Sequence, residues 1–254
     1  MEQITEINPY EANSILHQYL VFHYANDEDQ FSYPLGAKDG LNFPERCVAE
    51  GFDFECLPNG GRALDLGCAV GRSTFELSRH FESVLGIDYS QSFIEAACSL
   101  KDDGFLPARS HSHGERFDDL NVHIPEGVEC SKVHFEVGDA QDLSDDIGTF
   151  DAILGANLIC RLPRPQALLD RLPRIVKPGG QLVLTTPFTW LEEYTPRENW
   201  LGDTETDSFV ELQSSLEPHF ELQLKKDLPF LIREHARKFQ YGVALMSRWI
   251  RKVS

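Results

Sequence analysis

Apolar residues in this chain recur with two different periods, and the alternation between them organises the sequence. Downstream of Arg62, short apolar runs predict strands over residues 63–66, 84–88, 133–137, 152–156 and 181–186. Between them a helical spacing of apolar positions runs over 72–80, 91–100 and 166–175; Val70, Thr74, Leu77 and Phe81, for example, share one face. Strands alternating with helices imply a parallel sheet with right-handed crossovers. Beyond residue 186 the alternation stops, and a helical pattern over 207–217 is followed by apolar runs at 220–225, 230–233 and 240–250. Upstream, residues 10–25 carry Ile15, Leu16, Tyr19, Leu20, Phe22 and His23 in a helical pattern. Residues 26–54 are polar, aromatic-rich and punctuated by Pro and Gly, hence irregular apart from a short helix near 45–50. The chain thus divides into an extension, 1–61, and an α/β domain, 62–254. Two long segments, 101–131 and 188–203, interrupt that domain, and loops of such length are uncommon unless functional or disordered.

The first strand–helix junction carries the most distinctive chemistry. Ala63-Leu64-Asp65-Leu66 runs into Gly67-Cys68-Ala69-Val70-Gly71. A residue without a Cβ at position 67 lets the backbone turn tightly and approach a ligand. The helix that follows would offer free N–H groups to a carboxylate or phosphate. Asp88 ends the second strand, where an acid can accept hydrogen bonds from two ribose hydroxyls. The middle glycine of the dinucleotide pattern G-x-G-x-x-G is missing here. Cys68 and Ala69 would crowd a pyrophosphate but leave room for the methionine end of S-adenosylmethionine.

Composition narrows the partners. A length of 254 residues, 41% of them hydrophobic and with 17 Phe, is enough for a substantial core. A formal net charge of −18 argues against nucleic acid and against an anionic membrane surface, since both are bound through basic faces. The six cysteines (Cys47, Cys56, Cys68, Cys98, Cys130 and Cys160) are scattered and form no zinc spacing; small buried residues in a reducing compartment are expected. Residues 1–20 show no leader pattern and no apolar run approaches membrane-spanning length, so a soluble cytoplasmic protein is expected. His111 and His113 lack a convincing third ligand, so no metal is expected.

Asp65, Gly67 and Gly71 match the first motif of class I methyltransferases, and the chain resembles that superfamily. The resemblance implies a Rossmann-like fold with a mostly parallel seven-stranded sheet, one antiparallel strand supplied by a hairpin finish, and an N-terminal helical extension that lids cofactor and substrate. It also implies S-adenosylmethionine as cofactor and S-adenosylhomocysteine as product. Asp65, Gly67, Cys68, Ala69, Gly71, Asp88 and Tyr89 would then line the cofactor site. In FEVGDAQDL, Asp139 would accept from the adenine amino group and Ala140 would offer its backbone N–H; Asp142 or a plain helix cap is the alternative. In GANLICRL, Asn157 would meet the methionine end or the acceptor.

A narrower resemblance lies in the segments YLVFHYA, YPLGAKDGLNFPERCV, GANLICRLPRP and PGGQLVLTTPFTWLEEYTPRENWLG. They are similar to the methyltransferase domain of the bifunctional ovothiol-biosynthesis enzyme, which methylates 5-thiohistidine (4-mercaptohistidine) on an imidazole nitrogen. The likeness runs from about Asn8 to Trp249, with NFPERC and TWLEEYTP as its distinctive parts. The iron-dependent sulfoxide synthase half of that enzyme has no counterpart here, which implies a functional link to a separate synthase. An imidazole is already a nucleophile, so positioning, worth about 7–11 kcal/mol when good, should outweigh acid–base work. The thiolate on the same ring is the softer nucleophile, so the pocket must select nitrogen. Candidate anchors are Arg46 or Arg161 for the acceptor carboxylate and Glu192 or Glu193 for its ammonium. Asn42, Phe43, Tyr24 and Trp190 are candidate walls of the acceptor site, and His23, Tyr24 and Glu193 are candidate bases. Each also has a plainer reading: His23 as a structural histidine, Tyr24 and Phe43 as core, Arg161 as a surface ion pair, the glutamates as a solvated pair, and Trp190 as packing. Methyl transfer to another small imidazole, amine or thiol is the first alternative; a non-catalytic S-adenosylmethionine-binding partner or sensor is the second.

Overall fold

In a computed structural model, residues 8–34 and 36–253 are described; the first seven residues of the extension lie outside them. The extension contributes α1 (Asn13–Tyr24), α2 (Asp27–Gln30) and α3 (Phe43–Gly51). Then follow β1 (Arg62–Leu66), α4 (Arg72–Leu77), β2 (Ser83–Asp88), α5 (Gln91–Asp103) and a hairpin of β3 (Phe105–His113) and β4 (Arg116–His123). The chain continues through β5 (Val133–Val137), β6 (Phe150–Ala156), α6 (Pro165–Ile175), β7 (Val176–Thr186), α7 (Ser208–Leu216), β8 (Phe220–His235) and β9 (Lys238–Arg251). Seven strands form one sheet in the order β5-β2-β1-β6-β7-β9-β8. The first five pair in parallel, and β9 lies antiparallel to both neighbours, so it alone runs against the rest. The expected seven-stranded Rossmann-like sheet is present.

Alternation along the central strands builds the two faces. Leu64, Leu66, Ile153, Leu182 and Leu184 pack against Leu168, Leu169 and Leu172 of α6 and Leu212 of α7. The intervening Ala63, Ala152, Leu154 and Val183 pack on the other face against Cys47 and Val48 of α3 and Leu77 of α4. Asp65 shares the parity of Ala63 and so faces α3 and α4. The strand order reverses between β1 and β6, which opens a crevice at their carboxyl ends.

Two expectations about the elements change. The 101–131 insert is an ordered antiparallel hairpin forming its own two-stranded sheet, with Ala108, Ser110 and Val122 turned inward. Its other side chains are largely exposed, so no apolar period announced it. The runs at 220–225 and 230–233 belong to one strand, β8, which passes through Pro229. A proline is tolerated there because β8 is the sheet edge and needs no amide donor on its outer side. Beyond the level of Thr186 the β8–β9 arm projects past the sheet, and its tip bonds to the insert: Ala236 N–H donates to the carbonyls of His111 (3.0 Å) and Ser112 (3.2 Å). Among the described residues no helix is long and apolar enough to cross a membrane. All six cysteines are free; Cys47, Cys68 and Cys160 are buried, whereas Cys56 is exposed, contrary to expectation.

Leu172 is fully buried at the centre of the α6 face and Val210 of α7 is half exposed. Leu172→Ala should lower the unfolding free energy by about 2–5 kcal/mol and Val210→Ala by less than about 0.5 kcal/mol, read by urea unfolding. Equal losses would contradict this packing.

Candidate active site

The turn after β1 satisfies its own amides. Gly67 and Cys68 donate their N–H groups to the Ile87 carbonyl at 2.8 and 3.1 Å, and Gly71 donates to Cys68 O at 2.9 Å. Ala69 N–H donates to Asp88 Oδ2 at 2.8 Å. This geometry needs positive φ at Gly67 (69°), Ala69 (48°) and Gly71 (89°). A Cβ on Gly71 would stand 2.6 Å from the Phe135 ring, and one on Gly67 2.9 Å from Leu158 Cδ1. Four loop amides are therefore spent inside the fold, whereas the N-terminus of α4, where free N–H groups were expected, carries no side-chain cap. A phosphate would find those donors occupied, whereas a cofactor without phosphate does not need them.

Carboxylates surround the turn. Asp65 is fully buried, and its Oδ2 accepts from the hydroxyls of Ser73 and Thr74, both at 2.7 Å. Its Oδ1 is buried with no partner among the described residues. Burial pushes the Asp65 carboxyl up to about 6, against the pull of the two hydroxyls. Asp88, at the end of β2, accepts from Ser90 N (2.9 Å) on Oδ1 and from Ala69 N on Oδ2, so each oxygen keeps a second lone pair. Burial raises its carboxyl above the usual range. Tyr89 beside it is exposed. After β5, Asp139 is held by its neighbour Gln141, whose backbone N–H donates at 2.8 Å and whose side-chain amide donates at 3.0 Å. Ala140 is buried in the α6 face of the core. Asn157, after β6, takes a left-handed conformation and accepts from Thr185 Oγ1 at 3.0 Å. Cys68 is buried, and burial pushes its thiol well up.

Helix α1 covers the turn. The Tyr24 hydroxyl donates to Val70 O at 2.7 Å, and Leu20 and Tyr24 pack with Ala69, Val70 and Phe75. Arg72 reinforces this contact by donating to His23 O (3.2 Å) while pairing with Glu45 (2.7 Å) and Glu76 (2.9 Å). These contacts correct two of the candidate bases. His23 is buried, and burial, helped by the Arg72 charge, holds its imidazole down at about 3, so it accepts a proton only at strong cost. Burial likewise raises the Tyr24 phenol well above its ordinary value while its hydrogen is committed to Val70 O. The third candidate, Glu193, stands exposed beside Glu192.

Several candidate walls and anchors are also corrected. Phe43 is core, stacked on Phe22 at 6.1 Å and packed against Phe230. Arg46 is spent on Glu50 (2.7 Å) and on the carbonyls of Asp39 and Pro229, tying α3 to β8. Asn42 donates to Asp27 Oδ1 at 3.0 Å. Trp190 packs against the α6 face, and its indole N–H donates to Ser208 Oγ at 3.1 Å.

Arg161 differs. It donates to the carbonyls of Cys160 (3.0 Å) and Thr189 (2.9 Å) and stacks on Tyr194 at 4.8 Å, with no carboxylate partner among the described residues. Among the described residues, then, no acid supports the surface-pair reading of Arg161. Tyr194 lies 6.1 Å from Tyr10, which lies 6.0 Å edge-on to Tyr19. Burial pushes the Tyr19 phenol up to about 12 and the Tyr10 phenol higher still, so both stay protonated donors. Arg161 was a candidate from sequence, but its tyrosine partners were missed: they come from distant segments, and although Tyr19 and Tyr194 lie in the distinctive segments YLVFHYA and TWLEEYTP, nothing there pairs them with Arg161.

The folded state keeps a proton on Asp65 between pH 3.8 and about 6 that an unfolded chain has released. Its stability contribution is therefore complete below pH 3.8 and lost as pH rises past about 6. Asp65→Asn should thus exceed the parent in stability above pH 6 by on the order of 2–3 kcal/mol, the gap closing toward pH 4, as measured by urea unfolding across pH. A gap independent of pH would contradict a neutralised Asp65.

Comparison with known proteins agrees with this geometry. The family described as "Methyltransferase domain" matches residues 43–223. A ubiquinone biosynthesis O-methyltransferase of Coxiella burnetii is 27% identical over 127 residues, covering 50% of this chain and 44% of that protein. Phosphoethanolamine N-methyltransferase 3 of Arabidopsis thaliana is 29% identical over 155 residues, covering 56% of this chain and 26% of that one. The chain thus spans less than half the length of these relatives. Among solved structures, a SAM-dependent methyltransferase of Methanosarcina mazei superposes with a TM-score of 0.54 at 20% identity, covering 79% of this chain and 96% of that one. The 4+2 cyclase SpnF superposes with a TM-score of 0.59 at 18% identity, covering 96% and 95%. The cyclase shows that the shared fold does not by itself fix the reaction. With its family match spanning most of the sequence, the chain belongs to the methyltransferase domain family and has the class I S-adenosylmethionine-dependent fold.

Proposed function

We propose that the protein transfers a methyl group from S-adenosylmethionine to an imidazole nitrogen of 5-thiohistidine, the methylation that yields ovothiol A. The cofactor half of this reading is supported by the residues around β1. A turn with four of its amides internally bonded suits a ligand without phosphate. The unpartnered Asp65 Oδ1 lies at its base, suited to an ammonium or to a water carrying its hydrogen bond. Asp88 keeps two lone pairs for ribose hydroxyls, exposed Tyr89 flanks it, and Asp139 with Ala140 stands beyond β5 for the adenine edge. When bound, the cofactor supplies an electrophilic sulfonium methyl, which an imidazole nitrogen takes with its own lone pair while the C–S pair leaves with sulfur.

The acceptor half rests on one observation: Arg161, at the carboxyl edge next to Asn157, is half buried, ringed by tyrosines and without a carboxylate partner among the described residues. A planar guanidinium in that state is an anchor for an amino-acid carboxylate. Tyr10, Tyr19 and Tyr194 supply aromatic faces for an imidazole ring and for a neighbouring cation. Their phenols donate hydrogen bonds, and a donor aimed at the thiolate would hold sulfur off the methyl axis while leaving nitrogen free. Exposed Glu192 and Glu193 remain the acids available to the acceptor's ammonium. No side chain is assigned as a base: the two buried candidates hold their protonation states, and a ring bound as the anionic imidazole–thiolate, with one nitrogen already unprotonated, needs no proton removed before attack. Helix α1 carries Tyr19 and Tyr24 from the extension onto the turn, and this is how residues 1–61 would cover cofactor and acceptor together.

The test is incubation with S-adenosylmethionine and either 5-thiohistidine or histidine, locating the new methyl by mass spectrometry and NMR. N-methylated thiohistidine is expected. A methyl on sulfur or a preference for histidine would replace this acceptor, and cofactor binding without turnover on any small acceptor would leave a sensor. Arg161→Gln should raise KM for the acceptor on the order of tenfold or more, with unchanged affinity for S-adenosylhomocysteine. Unchanged KM would remove Arg161 from the acceptor site.

A further inference from the structure

A groove of about 400 Å³ lies between α1, the β3–β4 hairpin and the projecting end of β8. It lies on the other side of α1 from the turn. Ser14, His17, Gln18 and Val21 line it from one helical stripe, whereas Leu20 and Tyr24 of another stripe pack on Ala69 and Val70. Its size is at the lower end for small-molecule sites, which run to about 300–1,000 Å³. The groove is basic in a chain of net charge −18: Arg109 of β3 and Arg233 of β8 line it, with the imidazoles of His17 and His111.

Two polar atoms of this wall, His17 Nδ1 and Arg233 Nε, are buried without a hydrogen-bond partner among the described residues. The rest of the Arg233 guanidinium meets only carbonyls, those of Asp29 and, at 3.5 Å, His111. Asp118 and Asp29 act on Arg233 from exposed positions, and the other nearby acids are engaged elsewhere or stand at the rim. Glu234 is held by Lys238 and by the Gln240 side chain at 2.9 Å, while Asp119 pairs with Arg109 Nε at 3.3 Å in an exposed position. Arg109 also stacks over Phe117 at 4.7 Å, which fixes the plane of its guanidinium at the groove mouth. Buried donors without acceptors, beside two guanidiniums that no buried carboxylate neutralises, are complementary to an anion.

We propose that this groove is a binding site for a small organic anion bearing a carboxylate or phosphate. The anion accepts from Arg109 and from the Nη–H groups that Arg233 does not spend on carbonyls, while the buried Arg233 Nε–H and His17 Nδ1 come within reach once those side chains turn toward the ligand. The apolar part of the ligand rests on Phe117 and Val21. The site is separate from the proposed methyl-transfer centre, so its test stands whether or not that reading holds.

Isothermal titration of the full chain, saturated with S-adenosylhomocysteine and held at constant ionic strength, tests this with inorganic phosphate in one arm and succinate in the other. Saturable one-to-one binding is expected in at least one arm, and the tighter arm identifies the headgroup as phosphate or carboxylate. Arg109→Gln alters a half-exposed side chain and should keep the fold while weakening that binding at least fivefold. Arg233→Gln should weaken it at least tenfold, and His17→Leu serves in its place if loss of the Arg233 contacts unfolds the hairpin tips. No saturable heat in either arm, or an affinity unchanged in Arg109→Gln, would overturn the site.

Discussion

The fold is arranged around one constraint: the backbone must reverse after β1 without leaving its amides unpaired. Three residues at positive φ make the turn, the Ile87 carbonyl takes two amides, and Asp88 takes a third. The bond from Ala69 N–H to Asp88 ties the turn after β1 to the carboxyl end of β2, beside the crevice. Where a dinucleotide fold turns loop amides outward to a pyrophosphate, this chain turns them inward to its own carboxylate. The same substitution of protein for phosphate explains how an alanine tolerates the left-handed conformation at position 69.

The extension and the two hairpins depend on that turn. Helix α1 is tied to it through Tyr24 and Val70, and Arg72 closes the contact from the helix that follows. From the far side, the inserted hairpin and the β8–β9 arm meet at Ala236 and His111, so that α1 is enclosed by elements more than a hundred residues apart in sequence. Residues 1–61 accordingly contribute Phe22, Phe43, Cys47 and Val48 to the same buried cluster as the sheet. This dual duty explains why conspicuous residues of the extension, such as His23 and Phe43, are structural: the apolar pattern that places them on a helix also places them in the core.

The central sheet was legible in the sequence because buried parallel strands read as apolar runs, as at 152–156 within β6, while the edge strand β5 coincides with the expected 133–137 although only Val133 of it is buried. Asp65, Gly67, Gly71 and Asp88 were legible because only a strand end followed by a tight turn needs them in that order. The inserted hairpin was not: most of its side chains face solvent on both sides, and Pro107 sits within its first strand. The length of β8 was hidden by Lys225-Lys226-Asp227 and Pro229, residues that disfavour a central strand but suit an edge. In the cluster of Tyr10, Tyr19, Tyr194 and Arg161, the helical pattern marks Tyr19 but not its neighbours, since only tertiary structure assembles them.

The claim on which the functional account turns is that the crevice above β1 accepts an adenosyl cofactor lacking phosphate. Calorimetric titration of the protein with S-adenosylhomocysteine and with NAD measures this directly. The account predicts one-to-one binding of S-adenosylhomocysteine and at least a hundredfold weaker binding of NAD, a difference of about 2.7 kcal/mol. Comparable affinity for NAD would contradict it.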